Sequence, residues 1–334
     1  MHQVPMKISV VTSPGLTSDR QMEALLSTPK HFTEEHVRRA KVATGITMEY
    51  MLETNADAHS PACRHLPEER LVLIMGFLQL KELWGPVIDM LMRKWDAKKQ
   101  GRNLKILTFD NRGVGGTDAP LGRYTTSQMA DDATSLLDHL GWESANFVGH
   151  QVRFDIDVIH TARCMGGMIA IELACSFPER VQSLSLLVST RGRYVPDIRS
   201  MVPLLGAIFS PTQRGVVKNT VSLNYPSDFL DRPIGDKDSE HYATLPNRHK
   251  PAGYKALVCQ GMAVQTHYVS DERLEVIAKA GFPVLVVGND FRATKVRALF
   301  FKNGGHGIDT QFAEEVADGL VKTLKRARLL STSR

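Results

Sequence analysis

The chain is poor in the features that mark several large protein classes. Its 334 residues hold four cysteines, Cys63, Cys164, Cys175 and Cys259. None stands in a CxxC pair and no His/Cys cluster has metal-ligand spacing, so neither a metal site nor a disulfide framework is expected. Scattered free thiols fit a reducing compartment. No apolar run approaches the roughly 20 residues that a bilayer span needs. The first residues lack an apolar signal core. Asp19, Glu23, Glu34 and Glu35 do not suit an acid-poor mitochondrial leader. A soluble, cytoplasmic chain is expected. Long runs of like charge are also missing. The net charge of +5 is dispersed, apart from Lys322, Lys325, Arg326 and Arg328 near the end. No aromatics are interleaved with those four, so they read as a solvated helix face and no nucleic-acid partner is expected. Gly113–Gly116 lacks the GxGxxG spacing and the acidic residue about 20 positions on that a dinucleotide site requires. No cofactor is expected, and no internal repeat is present.

What the sequence does contain is alternation. Residues 1–41 read as an irregular lead-in, broken by Pro5, Pro14, Gly15 and Pro29, and residues 42–54 as a strand or hairpin. A polar loop over 55–69 leads to the apolar run Leu71–Met75, a strand buried on both faces. Further strands are expected at Leu104–Phe109, Asn146–His150, Val181–Val188, Val284–Val287 and Arg297–Lys302. Helical spacing lies between them at Trp84–Lys94, at Ser127–Leu140 with Ser127 as its N-cap, at Met168–Ser176 and at Thr310–Arg328. Such alternation predicts an α/β fold, with a doubly wound, mostly parallel sheet of seven or eight strands and helices on both faces. Residues 190–268 interrupt it. They hold seven prolines and short helical pieces, and read as a helical lid inserted over the C-terminal edge of the sheet. The core is then 42–189 and 269–330. Trp84, Trp142 and the methionines are expected in the core.

Four segments carry a family resemblance. Leu71–Leu78 (LVLIMGFL) looks like a strand and loop that supply an oxyanion amide. Phe109–Pro120 (FDNRGVGGTDAP) is similar to an FDxRGxGxS turn. Phe147–Ala170 ends in CMGGMIA, like a nucleophile elbow, and Gly304–Ile308 (GGHGI) looks like a loop bearing a catalytic histidine. In this order and spacing they resemble the α/β-hydrolase superfamily, in particular its esterase, lactonase and haloperoxidase-like group. The resemblance covers 42–328. It implies an inserted lid over a triad and hydrolysis of a small-molecule ester, lactone or related acyl compound. Acyl transfer needs a nucleophile, a base, a group that orients the base, and amides for the oxyanion. The resemblance assigns these to Cys164, to His306, to Asp290, and to the N–H groups of Phe77 and Met165. Gly113 and Gly115 are structural, in a turn tied by Asp110 and Arg112.

Three departures bear on activity. The nucleophile position holds cysteine rather than serine, which still attacks when a histidine or a helix N-terminus lowers its pKa. The 13 residues Gln151–Arg163 separate the strand end from Cys164, and without them the chain reads FVGHCMGGMIA. The insert can loop out after His150. Alternatively Asp157–His160 replaces the strand and Ala162 takes the small position before Cys164, or the insert is untranslated sequence retained in the reading frame. Finally, 16 positions separate Asp290 from His306, about ten fewer than a helix plus a strand needs. Asp290 is the only carboxylate between Val287 and His306, and Asp197 is the alternative acid. A catalytically inactive fold, serving as a small-ligand binder or scaffold, is the competing reading.

Overall fold

The computed structural model describes residues 8–11, 31–33, 35–55, 63, 65–150, 152–153, 162–163, 165–187, 189, 191–192, 254–288, 297–301 and 308–332. Their centre is a nine-stranded sheet in the order β1-β11-β10-β9-β6-β4-β5-β3-β2. The strands are β1 (Ile8–Val11), β2 (Val37–Lys41), β3 (Thr47–Thr54), β4 (Glu68–Ile74), β5 (Asn103–Phe109), β6 (Ala145–His150), β9 (Val181–Leu187), β10 (Val284–Gly288) and β11 (Arg297–Phe301). From β5 through β1 every pairing is parallel, while β3 pairs antiparallel with both β5 and β2. After β4 the chain builds β5 on one side and then crosses to β6 on the other. That reversal opens a crevice at the C-terminal ends of β4 and β6, where open α/β sheets bind ligands.

The apolar runs take this form because both faces are covered. On one face Met129, Ala133, Leu136 and Leu137 of α3 (Thr126–His139) and Met168, Ile169 and Leu173 of α4 (Met165–Ser176) pack against Val72, Ile74, Leu107 and Phe147. On the other, Val87, Ile88 and Leu91 of α1 (Gly85–Lys94) meet Val316, Leu320 and Leu324 of α8 (Ala313–Ser331) over Leu71, Leu73 and Val148. Each such side chain, fully buried, contributes about 1.5–3 kcal/mol. Trp84 and Trp142 are both buried in the core, as expected. Lys322 and Lys325 are solvated, while Arg328 turns inward over Trp95 and hydrogen-bonds Gln100 of the short helix α2 (Ala97–Gln100). Among the described residues no helix is long and apolar enough to cross a membrane.

Several expectations need correction. The segment 1–41 is not wholly irregular, since β1 extends the parallel sheet beside β11 and β2 forms a hairpin with β3. Both are edge strands of four and five residues, too short to carry much periodic signal, and β2 is largely exposed. Val42–Ile46 is the hairpin turn rather than strand, closed by Gly45 N–H donating to Val42 C=O, with Gly45 at φ 87°. The N-cap of α3 is Thr125, whose hydroxyl accepts from Gln128 N–H at 3.0 Å. Ser127 instead donates to Glu172 at 3.1 Å. Among the described residues the sheet has nine strands, against about seven or eight expected.

Of residues 190–268, the structure describes both ends. Gly192 pairs antiparallel with Tyr268, Val269 N–H donates to Arg191 C=O, and α5 (Tyr254–Thr266) returns the chain to the core. Ser270 then caps α6 (Asp271–Ala280).

Candidate active site

Strand β6 and helix α4 cross closely near the crevice. A methyl group on Gly149 would lie 2.5 Å from the Gly166 carbonyl oxygen and 2.7 Å from Gly167 Cα. One on Gly166 would lie 2.5 Å from the Ile74 carbonyl oxygen and 2.6 Å from that of Met75. Only glycine lets the three backbones approach so closely. The small residue that packs against the start of α4 is therefore Gly149, and Ala162 does not take that place. Ala162–Arg163 (β8) pairs antiparallel with Val152–Arg153 (β7) in a two-stranded ribbon separate from the main sheet. The described parts of the insert thus lie outside the main sheet, while the strand–helix crossing on either side of it is kept. Helix α4 begins at Met165, a turn earlier than its apolar pattern predicts. Cys164, immediately before it, lies outside the described residues, as do Asp290, His306 and Asp197.

Phe77 and Met165 are described, and both belong to one apolar cluster beside the C-terminal ends of β4 and β6. Phe77 lies in the turn after β4, where Gln79 N–H reaches back to the Gly76 carbonyl at 3.4 Å. Leu78 is the only described non-glycine residue with positive φ, at 55°. That conformation costs a branched residue about 1 kcal/mol or more. The turn is pinned on several sides. Leu78 N–H donates to Gln260 Oε1 of α5 at 2.9 Å, and Lys81 N–H donates to Asp110 at 2.9 Å. Gln79 Oε1 lies 3.2 Å from His150 Nδ1.

His150 is buried, and its Nε2 donates to the Asp309 carboxylate at 2.8 Å. Asp309 sits in α7 (Ile308–Gln311), three positions after His306. The end of β6 and the chain just beyond the histidine loop are thus in direct contact. Trp84 closes this cluster edge-on to His150, with ring centroids 5.4 Å apart.

The FDNRGVGG turn is held as the sequence implies. Asp110 accepts from Gly116 N–H, Thr117 donates to the Asp110 carbonyl, and Arg112 grips Asp132 through two hydrogen bonds of 2.6 and 2.5 Å. Gly115, at φ 57°, has no room for a side chain beside the Asp110 carboxylate. Sequence reasoning missed Lys81, which is 1% exposed and donates to Asp110 at 2.8 Å, Glu49 at 2.7 Å and Glu82 at 3.0 Å. Burial alone would lower its pKa, but these carboxylates outweigh it and hold the ammonium above lysine's ordinary range. The signal for it was Asp110 itself, a buried carboxylate that requires a cation.

A second buried network, also missed, joins the end of the inserted segment to α4. Glu172 accepts from Arg273 at 2.8 Å and lies 3.4 Å from His267, which contacts Thr126 at 2.8 Å. Burial would raise the Glu172 carboxyl, but the hydrogen bonds from His267 and Arg273 outweigh it and bring its pKa down to about 2.

The described cysteines are unreactive by placement. Cys63, Cys175 and Cys259 are buried free thiols. Burial pushes Cys175 up to about 11, and its S–H donates to the Arg273 carbonyl. Among the described residues no His, Cys, Asp and Glu cluster is arranged to hold a metal. A cavity of about 670 Å³ lies at the opposite edge of the sheet, lined by strand-start residues such as Glu69, Gln182 and Pro283, away from the crevice.

Comparison with known proteins agrees with this architecture. Residues 69–254, more than half of the chain, match the α/β hydrolase fold family. A Caulobacter segnis protein bearing the name carbamate hydrolase RutD is 24% identical over 78% of this chain and 92% of its own length. The Caulobacter vibrioides protein of that name is 27% identical over 54% of this chain, which spans 60% of that relative's length. Among solved structures, a hydrolase from Pseudomonas aeruginosa PA01 superposes with a TM-score of 0.63 at 16% identity, covering 87% of this chain and 99% of the other. The enol-lactonase from Burkholderia xenovorans LB400 gives 0.60 at 19% identity, covering 86% of this chain and all of the other. The close glycine crossing at β6 and α4, the reversal of strand order beside it and the match over residues 69–254 lead to one conclusion: the chain belongs to the α/β-hydrolase fold family.

Proposed function

We propose that the protein hydrolyses small esters, lactones or related acyl compounds through Cys164, His306 and Asp290, beneath a lid formed by residues 190–268. The thiol proton passes to His306 and the thiolate attacks the acyl carbonyl carbon. The N–H groups of Phe77 and Met165 hold the resulting oxyanion. Collapse of the tetrahedral intermediate expels the leaving group, which takes the proton from His306. A water molecule, deprotonated by His306, then attacks the thioester and releases the acid and the thiol. Asp290 orients the imidazole and stabilises its charged form without joining the bond changes. The observation that carries this reading is the contact of Gly149 with Gly166 and Gly167, which keeps the strand–turn–helix crossing that presents a nucleophile despite 13 inserted residues. The hydrogen bond from His150 to Asp309 supports it, since it draws the chain beyond His306 toward the elbow. Relatives named for carbamate hydrolysis and a structural neighbour named an enol-lactonase fit a small acyl substrate.

One observation favours an inactive ligand binder instead: the β7–β8 ribbon emerges between the strand end and Cys164, at the mouth of the crevice. Hydrolysis of p-nitrophenyl esters separates the two. Cys164→Ala is expected to lower turnover several thousandfold or more, as with other nucleophiles. Cys164→Ser should retain part of the rate, and Asp290→Asn should lose less than the alanine variant. A wild-type rate that survives Cys164→Ala refutes the site. Absence of any wild-type hydrolysis leaves the binder.

A further inference from the structure

We propose that Gln260 is a positioning residue for the oxyanion turn, acting on it from the inserted segment. The inference rests on the acyl-transfer reading for its catalytic consequence, but the geometry stands apart from it. Gln260 lies on α5 among Ala256, Cys259, Ala263 and Val264, all buried, and is itself fully buried. An amide on an apolar helix face is destabilising unless both of its ends are hydrogen-bonded. Here both are. Oε1 accepts from Leu78 N–H at 2.9 Å, and Nε2 donates to the Arg112 carbonyl at 2.9 Å.

The two partners differ in character. Arg112 is fixed through its paired hydrogen bonds to Asp132. Leu78 holds a left-handed conformation that its side chain disfavours, so something outside the turn must hold it there. Gln260 does so by tying the Phe77–Leu78 peptide to the fixed Arg112. On the other side of Phe77, the turn is closed by Gln79 N–H on the Gly76 carbonyl. The orientation of the Phe77 amide is thereby set from α5, and any displacement of α5 is transmitted to the oxyanion hole. On that reading, α5 and the amide that stabilises the oxyanion are mechanically one unit.

The test combines steady-state kinetics with hydrogen exchange in the folded protein. Gln260→Met keeps the volume and removes both bonds. It is expected to lower kcat by about tenfold to a hundredfold, less than loss of an oxyanion donor itself, with KM changed less than about twofold. Amides of residues 76–80 should exchange faster. Gln260→Glu keeps an acceptor for Leu78 N–H and should retain more kcat than Gln260→Met. The proposal is overturned if Gln260→Met leaves kcat of an active enzyme unchanged, if KM rises while kcat holds, if the glutamate variant gains nothing over the methionine variant, or if exchange over 76–80 is unaltered. If the wild-type protein hydrolyses no ester, the acyl-hydrolase reading falls on its own. Exchange over 76–80 then decides the clamp, faster exchange sustaining it and unaltered exchange refuting it.

Discussion

A cysteine reacts as its thiolate, so its surroundings decide whether it reacts at all. Cys63, Cys175 and Cys259 are buried, and Cys175 is held as the thiol far above neutral pH. A thiol reagent at pH 7–8 should therefore modify Cys164 well before the other three, which peptide mapping by mass spectrometry would show. Equal labelling of Cys164 and Cys63 would count against an activated nucleophile. His31 gives a prediction of the opposite kind. Burial would lower its pKa, but Asp89 at 3.1 Å and Glu53 at 3.4 Å outweigh this and raise it to about 9. A folded pKa above the unfolded value means that the stabilisation is complete below about pH 6.5 and is lost as pH rises toward 9. It amounts to about 2 kcal/mol once solvent screening is allowed for. His31→Gln should flatten the fall of urea-unfolding stability between these limits, and a parallel fall in both proteins would refute the assignment. Neither pair was legible in the sequence, because residues 31, 53 and 89 are brought together only by packing of α1 on the sheet. The same holds for Lys81, two of whose three carboxylate partners, Glu49 and Asp110, come from distant parts of the chain.

Among the elements, the β7–β8 ribbon is the most informative. Strand β6 and helix α4 occupy their places on either side of it, held by packing at Gly149 and Gly166 rather than by the link between them. A variant lacking residues 151–163, with His150 joined to Cys164, should fold with a thermal midpoint within a few degrees of the parent, since loop length contributes to closure entropy only logarithmically. Precipitation of that variant would show that the ribbon is structurally required. Element types were readable where the hydrophobic period was strong, as in β4 and α8. Boundaries were not, where tertiary partners set them. Ser127 looked like a cap because hydroxyls favour that place, but its hydroxyl is used by Glu172, and the cap falls to Thr125 two residues earlier. Helix α4 begins at Met165 because Gly166 and Gly167, poor helix formers in isolation, are required there by the crossing.

At the scale of the molecule, the sheet divides two apolar layers, and α8 closes one of them. Val316, Leu320 and Leu324 cover Leu71, Leu73 and Val148, so a chain ending at Gln311 would leave that layer open to water. Such a truncation should be recovered only as aggregate or as a species that binds 8-anilinonaphthalene-1-sulfonate. A soluble truncated protein with native near-UV circular dichroism would contradict the role given to α8. The family and the sheet were legible because four motifs recur in the order that the fold demands. Of the proposed site, Phe77 follows β4 and Met165 opens α4, while the contacts around them, from Gln260, His150 and Asp309, were not foreseen. Their roles arise from contacts 71 to 182 positions apart in the chain, which no local pattern encodes.

The pairing of Gly192 with Tyr268 has an evolutionary consequence. Since Gly192 and Tyr268 meet at the rim of the core and α5 packs into it, closure of the chain between them is provided by the scaffold, and length or sequence changes ahead of α5 are expected to leave the strands in place. On the proposed reading the segment is a replaceable cassette in which substrate preference can drift quickly, subject to one inherited constraint. Any replacement must still present an amide, or its equivalent, where Gln260 stands.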